Sequence, residues 1–327
     1  MIETALRRFN VKGNLFIEWF GLTAAGIALF VAGMSVPFLS SFVIFVAPVP
    51  LALLTRLLGA RRGVLSALFG ISLICALMGP EHSFVYLCEF CIIGVASGIL
   101  LLKCEEGTEY FMYAAAVSVA SKLLMMGIFV ISSGVNPFFV SGDAARAIIT
   151  SFSSLFSQNG LSVSEADVAS YADALTRTVT LMMPSMLILF SAADTLLCYV
   201  AARLYFRRLP EVSIPQLPPF GSWRLPHNIF WALLVTLVLD IAAKAFPQQT
   251  VLKMLSLNLM EVLRALFLAE GLSLSWFFLS AFGVNRVLST VLLVFAVFFS
   301  PVSYMLSMIG IFDIWYDLRK RIKIRRK

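Results

Sequence analysis

The sequence predicts an all-α, polytopic helical membrane protein with about eight to nine hydrophobic segments, cytoplasmic N- and C-termini and one broken or re-entrant segment. Three observations carry that expectation. Of 327 residues, 60% are hydrophobic and only 13% charged, whereas soluble domains are about 45–50% apolar. The apolar residues gather into stretches near the roughly 20-residue length that spans a hydrocarbon core. The Lys and Arg residues sit in short clusters between those stretches, the distribution of cytoplasmic loops. Although the net charge is +7, this clustering excludes nucleic acid as a partner.

Nine stretches qualify in order: Leu15 to Val36, Phe38 to Leu58, Val64 to Met78, Phe84 to Leu102, Phe111 to Ile131, Thr178 to Leu204, Ile229 to Ala245, Leu255 to Phe282 and Val287 to Phe312. Arg7, Arg8 and Lys12 set the N-terminus inside. Arg56, Arg61 and Arg62, then Lys103, then Arg203, Arg207 and Arg208 fall inside too, so six crossings obey the positive-inside rule. The tail from Arg319 is the most basic segment, and nine full crossings would export it. One stretch therefore ends where it began. Leu255 to Phe282 is the expected one, being overlong, charged and interrupted by Gly271, and such an element is tolerated only where protein or a cavity covers it.

The expected organisation is a six-helix core (1–208) with an outer loop (134–177), a Pro-rich cytoplasmic linker (209–227), C-terminal membrane helices (228–318) and a basic tail (319–327). In the outer loop, Ile148, Ile149, Phe152, Leu155 and Phe156 share a helical face, so a surface-lying helix is expected. A second helix should begin near Ser164, with Asp167 as its capping signal, and run into the sixth stretch. The loop reads either as a lid or as an interfacial cover.

Chemistry should lie where charge is embedded, since a charged side chain at a membrane-helix centre costs at least about 2.5–3.5 kcal/mol. Asn258, Glu261 and Arg264 share one arc of a helix, while Glu270 falls on the opposite side. Lys122 and Asp194 have no local partner and are expected to meet other helices, in a cavity shared with Glu261 and Arg264. These six residues are the candidate substrate-binding set; the alternative is that the Glu261–Arg264 pair only locks packing. Asp240 and Lys244 read as a structural i,i+4 pair. Ala24, Ala28 and Ala32 form a small-residue stripe suited to close helix approach, either within the chain or to a partner. Pro48 and Pro50 should kink the second stretch. Cys88 and Cys91 flank Glu89, but with no second Cys pair and no nearby His they are not read as a metal site.

No phosphate-binding GxxxxGK[ST] loop occurs, and the two histidines, His82 and His227, sit near loop ends. The chain is therefore expected to hydrolyse no ATP itself, to need no cofactor and to be no enzyme.

Three stretches, APVPLALLTRLLGARRG from Ala47, NLMEVLRALFLAEGLS from Asn258 and MIGIFDIWYDLRKR from Met308, resemble the YybS-like family of bacterial integral membrane proteins. Pro48, Pro50, Gly310, Asp313, Asp317 and Arg319 carry the likeness. That family is in turn remotely similar to the S components of energy-coupling-factor transporters. The resemblance implies a bacterial inner-membrane subunit that captures a small organic or amphipathic molecule and borrows a coupling subunit and ATPases. In S components an alanine stripe on the first helix docks the coupling subunit, and Ala24, Ala28 and Ala32 match its form. The alternative function is a non-transporting scaffold or assembly subunit of an envelope complex, contacting other proteins or anionic lipid.

Overall fold

A computed structural model describes residues 11–35, 43, 45–134, 150, 165–209 and 211–321. Among them the secondary structure is helical, apart from a single isolated bridge between Glu106 and Gln216. The order is α1 (Val11–Ser35), α2 (Pro48–Leu58), α3 (Ala60–Met78), α4 (Pro80–Tyr86), a π-helical turn (Leu87–Ile92), α5 (Ile93–Lys103), α6 (Gly107–Ser133) and α7 (Glu165–Phe206). A 3-10 turn (Phe220–Ser222) leads to α8 (Ile229–Ala245), α9 (Thr250–Ala281), α10 (Arg286–Phe298), α11 (Ser300–Tyr316) and α12 (Leu318–Arg321). Large apolar side chains such as Ile131, Phe295 and Phe298 face outward, as a bilayer-solvated surface requires and water disfavours.

The described residues contain six helices long and apolar enough to cross a membrane, or seven if α10 and α11 count as one bent span. Two of the expected stretches are too short among the described residues, for physical reasons. Pro48 and Pro50 lie in the first turn of α2, where a missing amide costs no intrahelical bond. The resulting helix has only 11 residues. The 17 residues of α8 extend about 26 Å at 1.5 Å per residue, short of a ~30 Å core.

The expected break in Leu255 to Phe282 is corrected: α9 runs unbroken through Gly271 for 32 residues. The broken element is the next stretch, where α10 and α11 meet at 103°. Phe299 leaves the helix there (φ −90°, ψ 97°) and Pro301 occupies the first turn of α11, since proline starts helices and cannot continue them. The second helix expected near Ser164 is described from Glu165 as α7. The amphipathic stretch Ile148 to Phe156 lies, apart from Thr150, outside the described residues.

The chain divides into two compact units, 1–135 with 190–217 and 136–189 with 218–327. In the first, Ile27, Phe30, Ala67, Ile74, Tyr86 and Phe90 form one buried cluster. Leu53, Leu101, Tyr110, Tyr199 and Phe206 belong to another. The Tyr199 hydroxyl donates to the Pro215 carbonyl (3.0 Å) and accepts from the Leu217 amide (2.8 Å), so the start of the Pro-rich segment is strapped to this core.

In the second unit, Leu263 and Phe267 of α9 pack with Ile314 of α11. A Cβ on Gly271 would overlap the Leu306 carbonyl, and one on Gly310 would overlap the Phe267 carbonyl. Each glycine thus faces the carbonyl four residues before the other, and the helices approach backbone to backbone. Gly271 serves packing, which is why it does not end its helix. The expected Asp240–Lys244 pair is formed at 2.6 Å.

Candidate functional site

The most deeply buried charge in the first unit gathers where three helices expose polar stripes. On α6, Ser118, Ser121 and Lys122 stand at i, i+3 and i+4, one helical face. On α7, Ser191, Asp194, Thr195 and Cys198 repeat the same spacing and are all buried. The third contribution is Glu89, carried by the π-helical turn between α4 and α5. A π turn loosens the backbone ladder and often marks a functional position. Ser121 donates to the Cys88 carbonyl of this turn at 2.6 Å.

Lys122 Nζ ion-pairs with Asp194 and donates to Ser118 Oγ at 2.8 Å. Ser118 also donates to the same Asp194 oxygen at 3.1 Å. Glu89 stands 3.7 Å from Lys122 Nζ, beyond hydrogen-bond distance. Both acids are almost wholly buried, at 5% side-chain exposure for Glu89 and 4% for Asp194. Lys122 and Asp194, 72 residues apart, therefore meet each other. Glu89, Ser118 and Ser121 were missed as members of the cluster; the polar i, i+3, i+4 stripe in an otherwise apolar α6 was the available signal.

The remaining candidates lie in the second unit and fall into separate groups. Arg264 donates to Glu261 Oε2 from Nε (2.9 Å) and Nη2 (2.6 Å), and its guanidinium lies 5.2 Å from the Tyr304 ring centre. At 31% and 20% side-chain exposure, Arg264 and Glu261 are reachable. Neither Arg264 Nη1 nor Glu261 Oε1 has a hydrogen-bond partner among the described residues.

Asn258 is fully used by the fold. Its Nδ2 donates to the Leu181 and Met254 carbonyls (2.6 and 2.7 Å), and its Oδ1 accepts from the Ser185 amide at 2.6 Å. Pro184 lies inside α7, and the inserted amide replaces the backbone bond between Ser185 and Leu181 beside the proline.

Glu270 is likewise engaged. Its Oε1 accepts from Arg319 Nη2 (2.9 Å) and its Oε2 from the Leu225 amide (2.8 Å). Arg319 also donates from Nε to Asp313 (3.0 Å) and from Nη1 to the Gly221 carbonyl (2.7 Å), while the Leu318 amide caps the second Asp313 oxygen at 2.9 Å. Arg319, expected to begin the basic tail, is instead turned inward with 4% side-chain exposure. Asp317, in a left-handed conformation at the end of α11 (φ 46°), ion-pairs with Arg224 (2.8 Å) and Lys320 (2.7 Å). Arg224, then Lys320, hold its carboxyl well below the usual carboxylate range. Glu270, Asp313, Asp317 and Arg319 thus form one clasp around the second half of the Pro-rich segment, while Gly310 packs against α9.

On α1, Ala24 and Ala28 face outward and Ala32 is half-buried, whereas Thr23, Ile27 and Phe30 face the core. The small face is consequently unpartnered among the described residues.

Across residues 24–314 the chain matches the family model described as Predicted membrane protein (DUF2232). No curated protein and no solved structure gives a significant match.

Proposed function

The chain belongs to the DUF2232 family of predicted membrane proteins, and from that premise we propose that it is the substrate-binding membrane subunit of a transport system for a small organic or amphipathic molecule. A separate ATPase module and coupling subunit supply the energy, and the setting is the bacterial inner membrane. The observation that carries this reading is the Lys122–Asp194–Glu89 cluster, two acids and one base buried among apolar helices. A packing lock needs no such excess of charge, because well-packed apolar residues usually serve stability as well or better. Intramembrane ionisable groups instead mark ligand and ion paths.

The Glu261–Arg264 pair supports the same reading: it is partly exposed and leaves Arg264 Nη1 and Glu261 Oε1 open among the described residues, suited to the charged head of an amphipathic molecule. Asn258 and Glu270 spend their hydrogen bonds within the fold, so substrate contact is assigned to Lys122 and Asp194 in the first unit, with Glu261 and Arg264 a separate candidate in the second.

The test is purification of the full-length chain from native membranes into nanodiscs, with mass spectrometry of bound small molecules and proteins. A stoichiometric ligand is expected, reduced at least tenfold by Glu261→Gln. Wild type without ligand or ATPase, recovered only with envelope-assembly proteins, would instead favour the scaffold reading. The outward Ala24–Ala28 face is the observation that keeps that second reading in play.

The same face yields a prediction. Because Ala28 points away from the core, Ala28→Leu should leave thermal unfolding unchanged while weakening capture of the coupling subunit at least tenfold, about 1.4 kcal/mol. Undiminished capture would remove the docking role.

A further inference from the structure

We propose that Glu89 holds an exchangeable proton, so that ligand capture at the Glu89–Lys122–Asp194 cluster is linked to proton uptake and release. The functional link rests on the transport reading above; the proton site itself rests on the geometry alone.

With all three groups ionised the cluster would carry one uncompensated negative charge in an apolar interior, and a buried unpaired carboxylate neutralises rather than remain so. Hydrogen bonding then decides which acid takes the proton. Lys122 and Ser118 both direct donors at one Asp194 oxygen, which stabilises its ionised form. No hydrogen bond reaches Glu89 among the described residues, and its nearest cation stands 3.7 Å away. The titratable groups facing it are Lys122 from α6, Asp194 with Cys198 beside it from α7, and Cys88 on its own turn; none adds a second cation.

A separate observation indicates where an incoming group would engage. Ser191 Oγ, one turn before Asp194, is buried with no hydrogen-bond partner among the described residues. A buried hydroxyl left open in this way suits water or a ligand group entering the cluster. Glu89 also sits on a π-helical turn, a local form frequent at functional sites. In the second unit, Glu270 and Asp313 also share one cation, but every oxygen of both acids receives a donor.

Infrared spectroscopy of the full-length protein in nanodiscs, in sodium-free buffer without substrate, tests the proposal. At neutral pH a carbonyl stretch of a protonated carboxylic acid is expected. It should vanish as pH rises, be absent in Glu89→Gln and persist in Glu270→Gln. Absence of the stretch in wild type, or its survival in Glu89→Gln, would overturn the proposal. So would its loss on adding sodium at constant pH, which would make the site a metal-cation site. Should Glu89→Gln fail to fold, Glu89→Asp must shift the stretch, and an unshifted one overturns the assignment. Because no substrate is present, a Glu89 stretch in a protein that carries no ligand would keep the proton site and remove only the transport reading. A bound ligand with no stretch would do the reverse.

Discussion

Replacing Arg319 with Met should be among the most damaging single changes in this protein, costing about 3–5 kcal/mol, the range for removing one partner of a buried ion pair. Arg319 serves two carboxylates and a backbone carbonyl at once. Its loss leaves Glu270 and Asp313, each at 2% side-chain exposure, without their shared cation. The amides of Leu225 and Leu318 still bond one oxygen of each acid, so the damage is electrostatic first. Thermal unfolding of the purified protein should show a large drop, and adding Glu270→Gln should restore part of it by removing one uncompensated charge. A fully stable Arg319→Met protein, or a double variant no better than the single, would show that this cluster does not hold the clasp.

Gly271→Leu should be nearly as severe, at about 3 kcal/mol, the upper part of the usual range for overpacking. The obstacle is the Leu306 backbone carbonyl, which belongs to a hydrogen-bonded helix and has no rotamer by which to move aside. The new side chain must push α9 and α11 apart and so disturb the facing contact between Gly310 and the Phe267 carbonyl. Gly21→Leu is the control, because a Cβ there meets nothing within 4 Å and surface changes of that kind usually stay within about 0.5 kcal/mol. Thermal unfolding of the two variants side by side decides it. Equal stability would mean that the close approach of these helices contributes little.

How much of this was legible in the chain follows from the range of each interaction. Lys122 and Asp194 stand out as charges inside apolar runs because a helix in lipid must be uniformly apolar unless a residue has a task. That they pair with each other was not legible, since 72 residues separate them and no local spacing encodes it. Glu89 was read through its flanking cysteines, and only the π-helical turn brings it to Lys122. Glu270 reads as lying on the opposite side of its helix from Glu261 and Arg264 though in the same candidate set, and its partners come from Leu225 in the Pro-rich segment and from α12. Arg319 was counted with the tail because the residues after it are basic; its burial depends on α11 ending at Asp317 in a left-handed turn.

By itself, the sequence determined that this is a helical membrane protein, which stretches are apolar and which side chains carry charge within them, because the bilayer acts on every residue and leaves its mark in composition and spacing. Only the tertiary structure decided that the chain breaks at Phe299 rather than at Gly271, that Asn258 and Glu270 serve the fold, and that Glu89 joins Lys122 and Asp194. Glycine and an embedded charge have meanings set by what packs against them. A carbonyl approaching a missing Cβ, or a donor arriving from another helix, exists only once distant segments have met.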